Sequence, residues 1–222
     1  MIPFLIGGGV ILASAAATYY FWEKIKKKVL GKNIVVLGQR ASGKTTLLNY
    51  LMTGEVVTEY EQTILGKKIR KTKNFKLSEL PWRISSTMMD VGANEDNYKK
   101  WRELVRNADV VVYTFRADLW SAEPDLQERN IENQLALIKN ELKPTTHTFI
   151  VGTHLDKEPF INNLKIDEEK QEYIQEFLSH NFLLFMKEQL GGSHKCVVVL
   201  DNTSSENGLS RVTNKLIESI VE

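Results

Sequence analysis

Apolar, β-branched runs alternate with stretches of helical periodicity along most of the chain. This alternation is typical of a parallel sheet whose strands are joined by helices that cover its faces. The apolar runs predict five strands, at residues 33–37, 82–89, 109–115, 146–151 and 195–200. The helical patterns begin near Lys44, Tyr98, Pro124, Asp167 and Ser205. In the pattern near Asp167, apolar side chains from Tyr173 to Phe185 share one face, which predicts core packing. The chain is therefore predicted to be an α/β domain.

The segment 67–76, KKIRKTKNFK, departs from this pattern because it carries six basic residues. We predict it as a further, sixth strand that lies exposed at an edge, where lysine keeps an unpaired strand soluble. Contact of these side chains with anionic lipid headgroups is the functional alternative.

The N-terminal segment is apolar, since no acidic or basic residue occurs before Glu23. About 20 helical residues, rising about 1.5 Å each, span the hydrocarbon core of a bilayer. Residues 2–22 end in the aromatic cluster Tyr19-Tyr20-Phe21-Trp22, which suits the headgroup level, and a lysine-rich stretch follows. Lysines stay on the cytoplasmic side. We therefore predict a single-pass membrane anchor at residues 1–22, a basic junction at 23–32 and a cytoplasmic domain at 33–222, with the short N-terminus outside.

Other readings of this segment stay open. A cleaved signal peptide would carry its lysines before the apolar stretch, although the small residues 13–17 resemble a cleavage site. A buried helix of the domain, or an apolar segment that docks on a partner protein, would also hide these side chains. Gly9, Ala13 and Ala17 recur every four residues, a stripe that could pack two membrane helices into a homodimer.

Composition removes several classes of function. The chain has 29 basic and 28 acidic residues among 222, so no net charge favours nucleic-acid binding. A single cysteine excludes a disulfide framework and a cysteine-ligated zinc site. That residue, Cys196, lies in an apolar run and is predicted to be a buried core thiol.

A glycine-rich stretch follows the first predicted strand and opens the first helix. It reads Gly38-Gln39-Arg40-Ala41-Ser42-Gly43-Lys44-Thr45, with Thr46 next, and matches the phosphate-binding loop. Backbone N–H groups at a helix N-terminus surround a phosphate only where glycines allow the tight turns. Lys44 would bridge the β- and γ-phosphates, and the Thr45 hydroxyl would ligate Mg²⁺. The loop predicts a P-loop NTPase.

Three later segments identify the base and the metal. Asp90 ends an apolar strand, where its carboxylate can reach Mg²⁺ through water. Asp156 follows the strand 146–151 at the carboxyl edge of the sheet, where ligands of open α/β sheets bind. Its carboxylate can accept hydrogen bonds from N1–H and the 2-amino group of guanine, a pattern that adenine lacks. Thr203 and Ser204 follow the last strand, in a loop whose N–H groups could meet the guanine O6.

With these four motifs in order, the chain from residue 33 onward resembles a small GTPase of the Ras-like superfamily. The loop GQRASGKTTLL is most similar to those of the Arf family and of the signal-recognition-particle receptor β subunit, which also has an N-terminal membrane helix. The stretch FIVGTHLD resembles the Roc GTPase domains, which share Thr-His-x-Asp in place of Asn-Lys-x-Asp. The resemblance implies a Ras-like P-loop NTPase fold with a mostly parallel six-stranded sheet, GTP or GDP as nucleotide, and Mg²⁺.

Two residues depart from the family at the base. Thr153 stands where most members have Asn, so a shorter hydroxyl replaces the amide that contacts the base and braces the phosphate loop. His154 stands where Lys stacks on the base. Guanine selectivity is expected to survive because it depends mainly on Asp156.

Three residues bear on hydrolysis. Ala93 replaces the Gly of the family's Asp-x-x-Gly motif, and Asn94 occupies the position of the Gln that orients the attacking water. Because Asn is one methylene shorter, we expect slow turnover that needs a partner's residue. Arg40 either extends over the γ-phosphate as a catalytic finger or is a bulky exposed residue without catalytic duty, and we favour the second.

The switch threonine that would complete the Mg²⁺ shell is either Thr58 or Thr63. Spacing in the family favours Thr63. Its contact would exist only with the γ-phosphate present, so that hydrolysis would release the segment.

Together these features predict a membrane-anchored small GTPase, a GTP/GDP switch with slow Mg²⁺-dependent hydrolysis. It would recruit or organise an effector protein at a bilayer, with an activating protein as a further partner. One rival is a pseudo-GTPase that binds nucleotide constitutively as a structural adaptor. The other is a P-loop ATPase or kinase, which would give no reason for Asp156 or the Thr203 loop.

Overall fold

The structure is a computed structural model that describes residues 5–6, 9–10, 31–54, 56, 83–86, 95–120, 124–164, 167–191 and 196–221. Near the N-terminus, β1 (Leu5–Ile6) pairs antiparallel with β2 (Gly9–Val10). These four residues are extended where the sequence analysis expects a membrane helix, and the run Gly7-Gly8-Gly9 has low helix propensity.

The other residues of the predicted anchor, and most of the junction 23–32, lie outside the described residues. Within the described ranges, none of the helices combines the length and the apolar character needed to cross a bilayer. The membrane anchor therefore stays a prediction.

Five parallel strands form the central sheet. They are β3 (Asn33–Gly38), β4 (Arg83–Ser86), β5 (Val110–Arg116), β6 (His147–Thr153) and β7 (Cys196–Leu200). Their order is β4-β3-β5-β6-β7, and every pairing is parallel. The five predicted strands are thus confirmed, although the described part of β4 is shorter than predicted. The basic segment 67–76 lies outside the described residues, so the sixth strand stays a prediction.

Two helical layers cover this sheet. The helices are α1 (Lys44–Thr53), α2 (Glu95–Asn107), α3 (Pro124–Lys139), α4 (Pro159–Asn163), α5 (Asp167–Leu178), α6 (Asn181–Gln189) and α7 (Glu206–Val221). On one face, α1 and α7 bury Leu47 and Leu216 against Val36. On the other face, α2, α3, α5 and α6 form a larger core around Tyr113 and Phe115. Neighbouring strand residues point to opposite faces, so both layers draw on the same strands.

The apolar pattern that begins at Asp167 forms two helices, α5 and α6, with Ser179 and His180 between them. His180 is extended, and its Nδ1 accepts a hydrogen bond from the Phe182 backbone N–H at 3.3 Å, which caps α6. Phe177 and Phe182 are buried on the two sides of this break. Core packing is therefore confirmed, while the single helix is not, because apolar spacing continues through the break and conceals it.

Cys196 at the start of β7 is buried, as predicted. Burial raises the pKa of its thiol to about 11. The thiol is therefore a core group.

Candidate functional site

The order of the strands reverses between β3 and β5. From β3 the chain goes to β4 on one side of the sheet, and it then crosses to β5 on the other. At such a point the loops after the two strands lead away in opposite directions and leave a crevice at their carboxyl ends, where ligands of open α/β sheets bind. The glycine-rich loop that joins β3 to α1 lies at this crevice.

This phosphate loop owes its path to three residues with positive φ. They are Gly38 at 138°, Ala41 at 55° and Gly43 at 72°. A Cβ on Gly38 would lie 1.9 Å from the carbonyl oxygen of Thr114, so only glycine fits there. The glycines on which the motif depends are therefore required by the fold.

The loop is tied to β5 through buried hydroxyl groups. Ser42 Oγ lies 2.5 Å from Thr114 Oγ1 and donates to the Gln39 carbonyl at 2.8 Å. Lys44, at the start of α1, extends its buried side chain back over the loop. Its Nζ donates to the carbonyl oxygens of Gly38, at 3.0 Å, and of Gln39. The ammonium group therefore lies at the loop itself, where phosphate oxygens can replace the carbonyl oxygens as its acceptors.

The Gln39 side chain is buried and is directed into the protein. Its Oε1 accepts the backbone N–H of Arg116 at 3.1 Å, and its Nε2 donates to Gln127 Oε1 on α3 at 2.5 Å. Gln39 is one of the predicted phosphate-loop residues, and its side chain joins the loop to β5 and α3.

Thr153, the last residue of β6, and His154, which follows it, brace the phosphate loop. The buried Thr153 hydroxyl lies within hydrogen-bond distance of the carbonyl oxygens of Ser42, at 3.2 Å, and of Phe115, at 3.0 Å. His154 has a left-handed φ of 57°, and its Nε2 lies 2.9 Å from the Ala41 carbonyl oxygen. Because a carbonyl can only accept, that nitrogen carries the proton. The shorter Thr153 side chain thus still reaches the loop.

Asp156 lies in a 3₁₀ turn, Leu155–Lys157, directly after these residues. Its Oδ1 is buried and has no hydrogen-bond partner within the described part of the chain. A buried carboxylate oxygen without a donor is costly, because burial removes the water that would otherwise solvate it. Donors supplied by a ligand, such as N1–H and the 2-amino group of guanine, would satisfy it.

The loop after β7 also reaches the phosphate loop. Thr203 is buried, and a Cβ built on Gly43 would lie 3.1 Å from its Oγ1 and 3.7 Å from Thr153 Cγ2. The phosphate loop, the last residue of β6 and the loop after β7 therefore meet around Gly43. The predicted Thr203 is brought to the site.

An Asx turn holds this last loop. The backbone N–H of Ser204 donates to Asn202 Oδ1 at 2.8 Å, so this N–H is already engaged within the loop. Ser205 Oγ accepts the N–H of Gly208 at 3.1 Å and caps α7. A Cβ at Gly208 would lie 1.7 Å from the Asn202 carbonyl oxygen, so the close approach of helix and loop requires glycine.

An ion pair stands beside the site at the end of β5. The Arg116 guanidinium donates to both carboxylate oxygens of Asp118, at 3.0 and 2.5 Å. Burial alone would raise the pKa of Asp118. The hydrogen bonds and charge of Arg116, together with His154, outweigh it and hold this pKa below its ordinary value. Asp118 is therefore a fixed negative charge at the rim of the crevice.

The remaining predicted residues divide into two groups. Arg40 is exposed on the loop, and Thr45 and Thr46 are half-buried in the first turn of α1. The others, Thr58, Thr63, Asp90, Ala93 and Asn94, lie outside the described residues. Of the predicted Mg²⁺ ligands, the structure therefore describes Thr45 alone, at a helix N-terminus that faces the crevice region.

Thr114, Gln127 and the pair Arg116–Asp118 were not predicted from the sequence as residues of the site. Thr114 could have been recognised as a candidate site residue, because it is a hydroxyl residue inside the apolar run VVVYTF. No sequence feature indicated Gln127, since one glutamine on a helix with polar neighbours resembles a solvated residue. Its role depends on the packing of α3 beside β5.

Comparison with known proteins agrees with this geometry. The sequence model described as "Ras of Complex, Roc, domain of DAPkinase" matches residues 33–156, more than half of the chain. The fold is similar to a chain in the structure of the mammalian SRP receptor, with 16% identity, a TM-score of 0.54, and coverage of 85% of this chain and 100% of that chain.

It is also similar to a GTP-binding protein from the hyperthermophilic archaeon Sulfolobus solfataricus, solved in complex with GDP. There the identity is 14%, the TM-score 0.53, and coverage 91% of this chain and 55% of that chain. At such identities, these two structures support the fold alone.

Proposed function

This chain belongs to the Roc family of Ras-like GTPase domains, and we propose that it works as a membrane-anchored GTP/GDP switch. It hydrolyses GTP slowly, with Mg²⁺, and recruits or organises a partner protein at a bilayer. Residues 2–22 anchor it, with the N-terminus outside and the GTPase domain in the cytoplasm.

One observation carries the nucleotide assignment. The phosphate loop, the end of β6 and the loop after β7 meet at Gly43. The carboxylate just after β6 keeps a buried oxygen, Asp156 Oδ1, without a partner in the described structure. Loop N–H groups and Lys44 supply positive charge for phosphates, while Asp156 supplies acceptors for a base with two adjacent donors. Guanine is such a base, and adenine is not.

The proposal of slow hydrolysis depends on the sequence. Asn94 would position the attacking water less well than the longer Gln of the family. Thr45, with Thr63 and Asp90, would hold Mg²⁺, which neutralises charge that develops on the phosphates. A partner that supplies a missing group would raise the rate.

The first test follows the fate of GTP with the full chain purified in detergent. Binding and phosphate release are measured in one sample, with ATP as competitor and with Mg²⁺ or EDTA. We expect GTP and GDP to bind, ATP to compete poorly, and phosphate to appear slowly and only with Mg²⁺. Binding without release over hours would favour the pseudo-GTPase, whereas displacement by ATP would refute the guanine assignment.

The anchor is tested by membrane fractionation of the expressed chain. We expect it to stay in the pellet after carbonate extraction, and removal of residues 2–22 to release it. Release of the intact chain by carbonate would refute a membrane span and favour docking of the apolar segment on a protein.

A further inference from the structure

Gln39 is fixed at each of its hydrogen-bonding groups. Its backbone N–H donates to the Thr114 carbonyl at 3.1 Å, and its backbone carbonyl accepts from Ser42 Oγ and from Lys44 Nζ. Its side chain joins β5 to α3 through Arg116 and Gln127. Gln39, whose carbonyl accepts a hydrogen bond from Lys44, is therefore itself fixed by a hydrogen bond to α3.

The orientation of both amide groups follows from the donors. The Arg116 backbone N–H can only donate, so Gln39 must present Oε1 to it. Its Nε2 is then directed toward α3, and Gln127 must present Oε1 in return. Both side chains are buried, so water has little access to either group if the contact is broken.

We propose that the pair Gln39–Gln127 is an amide clasp through which helix α3 sets how firmly the phosphate loop holds its nucleotide. Both glutamines are positioning residues, since they act through the loop backbone and Lys44. This inference rests on the proposed nucleotide site.

The physical reason lies in preorganisation of the loop. Loop N–H groups bind phosphate well only while the backbone stays in one conformation, and any freedom to leave it weakens binding. Without its acceptor on α3, the buried Nε2 of Gln39 would have no partner, and its side chain would rotate to find one. The Gln39 carbonyl and the loop would then lose their fixed position.

The chain offers a matched control on the same helix. Gln134, two turns after Gln127, is also buried, and its Oε1 accepts the Tyr113 hydroxyl at 2.8 Å in the core. Each of these two glutamines lies on α3 and accepts a hydrogen bond from one buried donor elsewhere in the protein. Only Gln127 contacts the phosphate loop.

The experiment measures dissociation of labelled GDP from the full chain in detergent, chased with excess unlabelled GDP, for Gln127→Met, Gln127→Glu and Gln134→Met. Methionine keeps the length of glutamine and removes the acceptor, whereas glutamate keeps an acceptor oxygen. We expect Gln127→Met to release GDP about tenfold faster, equivalent to about 1.4 kcal/mol. We expect Gln134→Met to stay within about twofold of the unmodified chain, and Gln127→Glu within about threefold.

A release rate for Gln127→Met within twofold of the unmodified chain would overturn the clasp. Equal acceleration by Gln134→Met or by Gln127→Glu would also overturn it, because the effect would then be general loosening of α3. Should Gln127→Met not fold, Gln39→Met, which breaks the contact from the other side, carries the same prediction. If the unmodified chain binds no GDP, the proposed function itself fails, which is a distinct result.

Discussion

The two edges of the sheet use polar groups in different ways. At the amino edge, Asn33 and Asp109 satisfy each other: the Asn33 N–H donates to Asp109 Oδ2 at 2.8 Å, and the Asp109 N–H to the Asn33 carbonyl at 2.9 Å. Thr146 donates to the Ala108 carbonyl beside them. At the carboxyl edge, the loops hold two non-glycine residues at positive φ, Ala41 and His154, and Asp156 keeps a buried oxygen without a partner in the described structure.

This difference indicates that the carboxyl edge is the one suited to bind a ligand. Polar groups that satisfy one another stabilise the fold and need nothing further. Backbone strain and an unsatisfied carboxylate oxygen cost free energy unless a bound molecule uses them. We therefore expect substitutions at the carboxyl edge to change nucleotide binding, and substitutions at the amino edge to change stability alone.

The largest expected effect is at Asp156. Asp156→Ala would remove the carboxylate that is proposed to accept two hydrogen bonds from guanine, so GDP affinity should fall by about 100-fold or more, measured by calorimetry. The melting temperature without nucleotide should not fall, because the unpaired oxygen stabilises nothing. Asp156→Asn presents a donor beside an acceptor and should favour xanthosine nucleotides over guanosine nucleotides. Retention of guanosine preference in both variants would contradict the assignment.

The next largest effect is expected at Gly38, and Gly31 serves as its comparison. Gly38→Ala places a Cβ 1.9 Å from the Thr114 carbonyl, so we expect a loss of about 3 kcal/mol or more in unfolding free energy, together with lost nucleotide binding. Gly31, just before β3, has a φ of 74° with nothing within 4 Å of an added Cβ. Gly31→Ala should therefore cost only the strain of the left-handed backbone, about 1 kcal/mol, in urea unfolding. Equal losses for the two would show that the crevice does not constrain Gly38.

A smaller effect is expected at the amino edge. Asp109→Ala leaves the Asn33 N–H without its carboxylate acceptor, so unfolding free energy should fall by about 1–2 kcal/mol. GDP affinity should stay within twofold, because the change lies at the opposite end of β5. A large loss of affinity would abolish the distinction between the edges.

The smallest effect concerns Arg40, which lies exposed at the carboxyl edge. Arg40→Ala should leave the rate of GTP hydrolysis unchanged in single-turnover assays with Mg²⁺. A drop of tenfold or more would instead make Arg40 a catalytic finger supplied within the chain.

Much of the site was predictable because it is encoded by local spacing. The phosphate loop is a contiguous motif, and its glycines are required by backbone geometry at Gly38 and Gly43. Asp156 and Thr203 follow predicted strands, and parallel strands bring their carboxyl ends to one edge. Less predictable was the bracing contact of Thr153, because a hydroxyl reaches Ser42 only when β6 and the loop lie at the observed separation.

The sequence by itself determined the α/β class, the five strands now observed, the phosphate loop and the position of the carboxylate that is proposed to bind guanine, because each depends on residue type within a short stretch. The tertiary structure alone decided the strand order, the contact of Ser42 with Thr114, the clasp of Gln39 with Gln127, and the break at His180. The strand order and the two contacts join residues that are distant in the chain. The break depends on a helix cap that the apolar periodicity conceals. Only the packing of strands and helices brings such groups within hydrogen-bond distance.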